Sequence, residues 1–291
     1  MIVWDGGEKA AEDCRSPRRC RDLRQVLDCG SPLPLWIACV LLFQTLLVHG
    51  AEVPCLPKAH AHNDYLHPRP LLDALDHGFC SVEADVHLVD GKLLVAHDAD
   101  KVDPARTLEG LYLKPLKERF AKQRKGEFFL MIDFKTAAEP TYQALRELLK
   151  KYSVMLTTFR ANSIETNAVT IIISGNRPIN TISNEPVRYA AIDGRLPDLE
   201  NKPPRALVPW ISDNWSKHFT WRGEGNIAEE ERARLRRWVQ QAHEQGRKIR
   251  FWAIPDAARG WAELRSAEVD LINTDNLAGL RGFLNSENTN Y

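Results

Sequence analysis

The chain has 291 residues, with 39 lysines and arginines against 39 aspartates and glutamates, and 44% of it is hydrophobic. That length fits one large domain or two small ones, and the apolar content is that of a globule, which excludes a disordered chain. The balanced charge leaves no global field to draw the chain to nucleic acid, so no nucleic-acid partner is expected, and no feature calls for a protein partner.

Residues 1–32 are polar and carry Arg15, Arg18, Arg19, Arg21 and Arg24. Leu35 to Val48 is then an uncharged, mostly apolar run, followed by His49, Gly50 and Ala51. A basic region, a short apolar core and a small residue make a secretory signal, and the run is shorter than the roughly 20 residues of a spanning helix. The expectation is cleavage near Gly50, leaving residues 51–291 as one secreted or periplasmic domain. The alternatives are a membrane anchor at Leu35–Val48, or a true start further along the chain. Cleavage removes Cys14, Cys20, Cys29 and Cys39. Cys55 and Cys80 remain, each just ahead of a candidate strand, where they can pair in an oxidising compartment.

From Pro57 onward strand and helix signals alternate. Lys58–Asn63 reads as a short strand. Pro70–His77 reads as a helix with Leu71, Leu72 and Leu75 on one face and Gly78 as its stop. Ser81–Val89 and Lys92–His97 are strands joined by the turn Asp90-Gly91 into a hairpin. Leu111–Gln123 is helical, Phe128–Phe134 a strongly apolar strand, and Pro140–Tyr152 a helix with Leu145, Leu148 and Leu149 inward. Thr170–Ile173, Tyr189–Ile192 and Leu207–Ile211 are short strands. Asn226 is placed to cap a long helix whose Glu229, Glu230 and Glu231 suit its positive end and whose stop is Gly246. Lys248–Ile254 is a strand, Trp261–Ala267 a helix, Val269–Thr274 a strand and Leu277–Leu284 a closing helix. Such alternation implies a parallel sheet, and the length suits a single (β/α)8 TIM-type barrel. One candidate strand, at Met155–Phe159, is surplus to that count.

Six of the nine histidines, His60, His62, His67, His77, His87 and His97, fall between Ala59 and Asp98. In the same stretch Glu83 and Asp85 lie two apart on a strand, so both carboxylates point to one face. Paired like charges call for a positive partner, and a hard divalent cation is the usual one. Histidines beside it can exchange protons near neutral pH. Asp133 and Lys135 share a face in the same way, offering a third carboxylate and a cation for phosphate. His60 and His62 share a face, and either can serve as the first histidine; its spacing to Asn63 favours His60. His87 lies on the face of Glu83 and Asp85. His67, His77, His218 and His243 read as structural or surface residues. Arg177 either meets an anionic substrate or forms a loop salt bridge. Trp210, Trp215, Trp221 and Trp261 are either core or a lipid-facing rim.

The order His-x-x-Asn, Glu-x-Asp, His-Asp after a hairpin, and Asp-x-Lys resembles that of the phospholipase C-like phosphodiesterases, the group that includes glycerophosphodiester phosphodiesterases and sphingomyelinase D. The wording HAHNDY, SVEADVHL, LLVAHD, RTLEGLYLKPL and VDLINTDNL is similar to the altered inheritance of mitochondria protein 6 family. The resemblance implies His60 and His97 as the acid–base pair, and Glu83, Asp85 and Asp133 as holders of one Mg²⁺ or Ca²⁺. It further implies Lys135 on the phosphate, Trp252 lining the substrate site and Asn63 as a supporting hydrogen-bonding residue; Asp275 recurs in relatives and either acts there or shapes its loop. The chain departs from glycerophosphodiesterases, which carry Arg-Gly after the first histidine where Ala61-His62 stands here; the carboxylate many of them carry soon after is also not recognisable. The function expected is metal-dependent hydrolysis of a phosphodiester small molecule or phospholipid head group, with transient contact to a membrane surface. The alternatives are a catalytically silent lipid- or carbohydrate-binding barrel and a metal-independent phosphatidylinositol phospholipase C.

Overall fold

A computed structural model describes residues 53–121, 127–160 and 163–286. The strands among them are β1 (Ala59–Ala61), β2 (Ser81–Val89), β3 (Lys92–Val95), β4 (Phe128–Phe134), β5 (Thr158–Arg160), β6 (Ile164–Glu165), β7 (Val169–Gly175), β8 (Val187–Arg188), β9 (Ala190–Gly194), β10 (Trp210–Asn214), β11 (Lys248–Trp252) and β12 (Leu271–Thr274). β1, β2, β4, β7, β9, β10, β11 and β12 pair in parallel in that order. β1 closes the ring by pairing with both ends: Ala59, His60 and Ala61 lie opposite Ile272, Asn273 and Thr274, and Ala61 also lies opposite Val82. This is the expected eight-stranded barrel, with helices in its connections. β3 folds back antiparallel on β2 as the predicted hairpin, with Val86 opposite Val95 and Val89 opposite Lys92.

Strand alternation sorts the side chains into two apolar populations. Val82, Ala84, Val86, Leu130, Ile132 and Phe134 belong to the large cluster beneath the helices. Phe129, Met131, Ile172, Ala191, Trp210 and Leu271 form a separate cluster inside the barrel. Burial on both faces is why these strands read as nearly continuous apolar runs. The interior cluster fills the N-terminal end of the barrel. Further along, the same inward faces turn polar, with Glu83 and Asp85 on β2, Asp133 on β4, Ser174 on β7, Asp193 on β9, Ser212 on β10 and Arg250 on β11. Polar side chains at the C-terminal ends of barrel strands are where this architecture carries its chemistry.

The surplus strand resolves as β5, which pairs antiparallel with β6 and β8 in a separate small sheet and sends Phe159 into the interior cluster. β10 starts at Trp210 and not at Leu207, because the Leu207 and Val208 amides both donate to the Pro204 carbonyl in a turn. The long helix spans Glu229–Glu244 with Ala228, not Asn226, at its N-cap. Its first turn is secured from outside: the Glu231 carboxylate accepts from the Thr220 and Trp221 amides. Trp210, Trp215, Trp221 and Trp261 are all 8% exposed or less, so they are core and not a rim.

No helix among the described residues is long and apolar enough to cross a membrane; the Leu35–Val48 run and the signal cleavage near Gly50 lie outside the described residues. Cys55 and Cys80 are joined by a disulfide, with Cα atoms 5.7 Å apart and a separation of 25 positions in sequence. The bridge ties the segment entering β1 to the one entering β2. Closing a loop of that length restricts the unfolded chain by about 3 kcal/mol. Reduction, or Cys80→Ser, is therefore expected to lower the unfolding free energy by about that amount. Denaturant midpoints with and without reductant measure it, and coincident midpoints would show the bridge to be dispensable.

Candidate active site

A cavity of about 240 Å³ opens at the C-terminal end of the barrel, lined by His62, Asn63, Glu83, Asp85, His97, Asp133, Lys135, Ser174, Arg195, Arg250 and Trp252. Register explains the convergence of its acids. Asp85 lies directly opposite Asp133 on the neighbouring strand, with Ser174 next across β7, while Glu83 sits one inward step below Asp85. Gly175 lets β7 end there: its φ is +67°, and a Cβ would collide with Asp133 Oδ1. Asn63 and Ala253 also take positive φ, at 50° and 56°. Strained backbone of this kind gathers where a site demands it.

Glu83, Asp85 and Asp133 each offer a carboxylate oxygen within 4.8 Å of the others. Asp85 is nearly fully buried. Its Oδ2 accepts from Tyr65 Oη at 2.7 Å, His97 Nδ1 at 2.9 Å and Lys135 Nζ at 3.0 Å. Its Oδ1 is buried without a partner. A buried carboxylate oxygen with nothing to accept from is costly, and a hard cation would satisfy it. The trio is thus compatible with a divalent cation taking oxygen ligands. Burial, then the charge of Glu83, push the Asp133 carboxyl up to about 6 despite the nearby Lys135. Burial would also raise Glu83, but the Arg250 guanidinium at 2.8 Å and the His60 hydrogen bond outweigh it and hold Glu83 well below the usual range. Burial would lower Lys135, yet Asp133 and Asp85 raise it, so it stays a cation.

The two imidazoles on the cavity wall are His62 and His97. His97 follows the hairpin and its side chain is 56% exposed; its Nδ1 faces Asp85. His87 Nε2 donates to the His97 carbonyl at 3.2 Å and so steadies that corner. His62 Nδ1 donates to Asp275 Oδ1 at 2.9 Å. With both Nδ1 atoms committed to carboxylates, Nε2 is the nitrogen each ring presents to a ligand. Burial would lower the His62 pKa, but the Asp275 hydrogen bond and the Glu83 charge raise it above the ordinary 6.5. Asn63 Nδ2 donates to both Asp275 oxygens, at 3.3 and 3.2 Å, and Asn63 Oδ1 lies 2.7 Å from Tyr65 Oη, whose single proton it shares with Asp85 Oδ2.

Two sequence expectations change. His60 is 0% exposed and lies below the cavity, not on its wall. Its Nδ1 meets Ser81 Oγ at 2.7 Å and its Nε2 meets Glu83 Oε2 and Arg250. His62, two residues on, occupies the wall position. Burial and the Arg250 charge lower the His60 pKa to about 4, keeping it neutral. Arg177 donates to the Asp193 backbone carbonyl and does not line the cavity; it is a loop contact. The remaining expected residues, Asn63, Glu83, Asp85, His97, Asp133, Lys135 and Trp252, are brought together. Sequence reasoning missed Arg250, Arg195 and Ser174 as cavity residues and Tyr65 as the tie between Asn63 and Asp85. Arg250 was findable, because it shares a strand face with Trp252 by the same alternation that paired Glu83 with Asp85.

Residues 51–129 match the family model for AIM6-like phosphodiesterase domains. The chain is 28% identical to altered inheritance of mitochondria protein 6 of Eremothecium gossypii, an alignment covering 80% of this chain and 70% of that one. It is 30% identical to the protein of that name from Saccharomyces cerevisiae strain S288c, over 75% of this chain and 68% of the relative. Among solved structures, a calcium-dependent phosphatidylinositol-specific phospholipase C from Streptomyces antibioticus superposes with a TM-score of 0.52 at 11% identity, covering 77% of this chain and 95% of that one. A glycerophosphodiester phosphodiesterase from Parabacteroides distasonis gives 0.50 at 16% identity, over 79% and 98%. Those two likenesses establish the shared barrel fold.

The two histidines should separate by titration. His62 is expected to titrate above 6.5 and His60 near 4 in an NMR pH series on the native protein. The sign for stability follows: the unfolded chain takes up the His60 proton as pH falls below 6.5 while the native state refuses it until about 4, so this residue's contribution is lost across that window. His60→Ala is expected to cost about 2–4 kcal/mol at pH 7, because it leaves a void and removes a buried hydrogen-bonding neighbour of Glu83 and Arg250, whereas His62→Ala should cost less than 1 kcal/mol. Equal losses, or a His60 resonance that titrates near 6.5, would mean that His60 is not enclosed as described.

Proposed function

We propose that this chain, which belongs to the altered inheritance of mitochondria protein 6 family, is a metal-dependent phosphoric diester hydrolase that acts on a glycerophosphodiester or phospholipid-type head group, with His62 and His97 as its acid–base pair. The observation that carries the reading is the placement of two imidazole Nε2 positions on one cavity wall beside Glu83, Asp85, Asp133 and Lys135. A binding barrel has no need for two imidazoles each braced by its own carboxylate, Asp275 behind His62 and Asp85 behind His97.

In this reading Glu83, Asp85 and Asp133 hold one divalent cation, Mg²⁺ or Ca²⁺, which when bound neutralises charge on the phosphodiester and polarises a P–O bond. Lys135, kept protonated by Asp133 and Asp85, contributes a second positive charge to the non-bridging phosphate oxygens. One imidazole takes the proton from the nucleophile, a neighbouring substrate hydroxyl or water, and the other delivers a proton to the departing alkoxide. Asp275 and Asp85 fix the rings so that Nε2 faces the substrate, and each stabilises the imidazolium when it forms. A vicinal hydroxyl on the head group would give a cyclic diester as the first product. Burial of the floor beneath, by His60 and the Glu83–Arg250 pair, keeps bulk water from the underside of the site.

The reading includes an oxidising compartment outside the cytosol, which the Cys55–Cys80 disulfide supports, and transient contact with a membrane surface when the diester is part of a lipid.

The test is turnover of bis(p-nitrophenyl) phosphate and of a glycerophosphodiester by the full chain, with and without chelator. Activity is expected to vanish with chelator and return with Mg²⁺ or Ca²⁺. His62→Ala and His97→Ala are each expected to lower kcat/KM by about 10²–10⁴, and Asp85→Asn to abolish the metal-restored activity. Turnover indifferent to chelator would favour the metal-independent phospholipase C reading, with Lys135 as the phosphate's cation. A folded protein inert on every diester would favour the binding barrel.

A further inference from the structure

Arg195, just past β9, folds over the cavity with its guanidinium carbon 5.0 Å from the centroid of the Trp252 ring. It is fastened there. Nη1 donates to Asp193 Oδ2 at 2.8 Å and to the Gly194 carbonyl at 2.8 Å, and Nη2 donates to Ser174 Oγ at 3.3 Å. The anchor is itself immobile: Asp193 is 0% exposed, accepts from Ser174 Oγ at 2.9 Å and receives a further hydrogen bond from Ser212 Oγ. Arg195 and Trp252 both line the cavity that holds His62, His97 and the three carboxylates.

An indole face is the best protein surface for a quaternary ammonium group. Here a guanidinium already covers it. A choline-type head would find that π face already occupied by a fixed guanidinium and would lose the cation–π contact it needs. Asp193 balances the Arg195 charge, so the pair does not call for a second anion on the substrate either. What it offers is a flat, donor-edged surface stacked on an aromatic plane, which suits hydroxyl oxygens.

We propose that Arg195 and Trp252 form the head-group subsite, and that Arg195 sets its specificity by admitting uncharged, hydroxyl-rich heads and excluding quaternary-ammonium heads. The proposal rests on the phosphodiester reading of the same cavity. Its test therefore uses a readout that needs no turnover. Calorimetric binding of glycerol phosphate and of phosphocholine to the full chain, at one ionic strength and with divalent cation present, gives a ratio of affinities. The wild-type protein is expected to favour glycerol phosphate by about tenfold or more, Arg195→Gln to shrink that ratio by about tenfold, and Arg195→Lys, which restores a cation over the indole, to recover part of it. Turnover of glycerophosphoinositol and glycerophosphocholine by the same proteins should shift in parallel. Equal binding of the two probes by the wild type, binding of neither, or a ratio that Arg195→Gln leaves unchanged in a protein of normal thermal stability would each overturn the proposal. Selective binding without any diester turnover would instead count against the hydrolase reading and uphold the subsite.

Discussion

The ion pair between Glu83 and Arg250, 2.8 Å apart inside the barrel, is the constraint on which the upper site rests. Neither residue has an alternative partner in water, since both are almost wholly buried. Removing one member of such a pair costs about 3–5 kcal/mol, because the other is left as an uncompensated charge. His60 fills the remaining space and donates or accepts according to its tautomer, and Ser212 Oγ takes the Arg250 Nε proton at 3.0 Å. The floor is therefore polar but satisfied on this side. It holds Glu83 ionised and in position one step below Asp85.

Above that floor the barrel's register does the assembling. β2 and β4 run parallel with Asp85 opposite Asp133, an arrangement that would repel if nothing lay between. Lys135, next on the same face as Asp133, bridges both at 3.0 and 3.5 Å. The hairpin formed by β2 and β3 then returns the chain so that His97 meets Asp85 from the rim. The β1 end brings His62 in from the other side, where Asp275 after β12 receives it. Because β1 pairs with β12 as well as β2, closing the barrel is what sets His62 and its carboxylate side by side. Fold closure and site assembly are one event here.

The fold was readable because strands such as β4 and β7 carry nearly continuous apolar runs and the Ala138–Lys150 helix a clear stripe. Alternation alone paired Glu83 with Asp85 and Asp133 with Lys135, and the family resemblance joined the two pairs into one candidate trio. His60 against His62 could not be decided in that way, since both point to the same face of β1 and differ only in height. Height along a tilted strand is fixed by register with neighbours, and the sequence does not carry it. Arg195 was hidden for a related reason: it lies outside a strand, in a turn whose path is set by its own bonds to Asp193 and Gly194. Asn226 looked like a cap because cap preference is local, but the helix start is settled by Glu231 gripping a loop ten residues earlier in the chain.

Charge balance gives the last step. Glu83, Asp85 and Asp133 supply three negative charges around the cavity, and Lys135 and Arg250 return two, leaving one negative charge in excess. The Asp193–Arg195 and Asp275–His62 pairs cancel within themselves when His62 is protonated. That excess adds to burial in making one carboxyl reluctant to ionise: Asp133 is raised to about 6 by desolvation first and then by the Glu83 charge. The proposed divalent cation would turn the excess of one negative into one positive. A phosphodiester carries a single negative charge, so it would bring the filled site to neutrality. The count agrees with the proposed diester substrate and with a head-group subsite whose own charges are already paired.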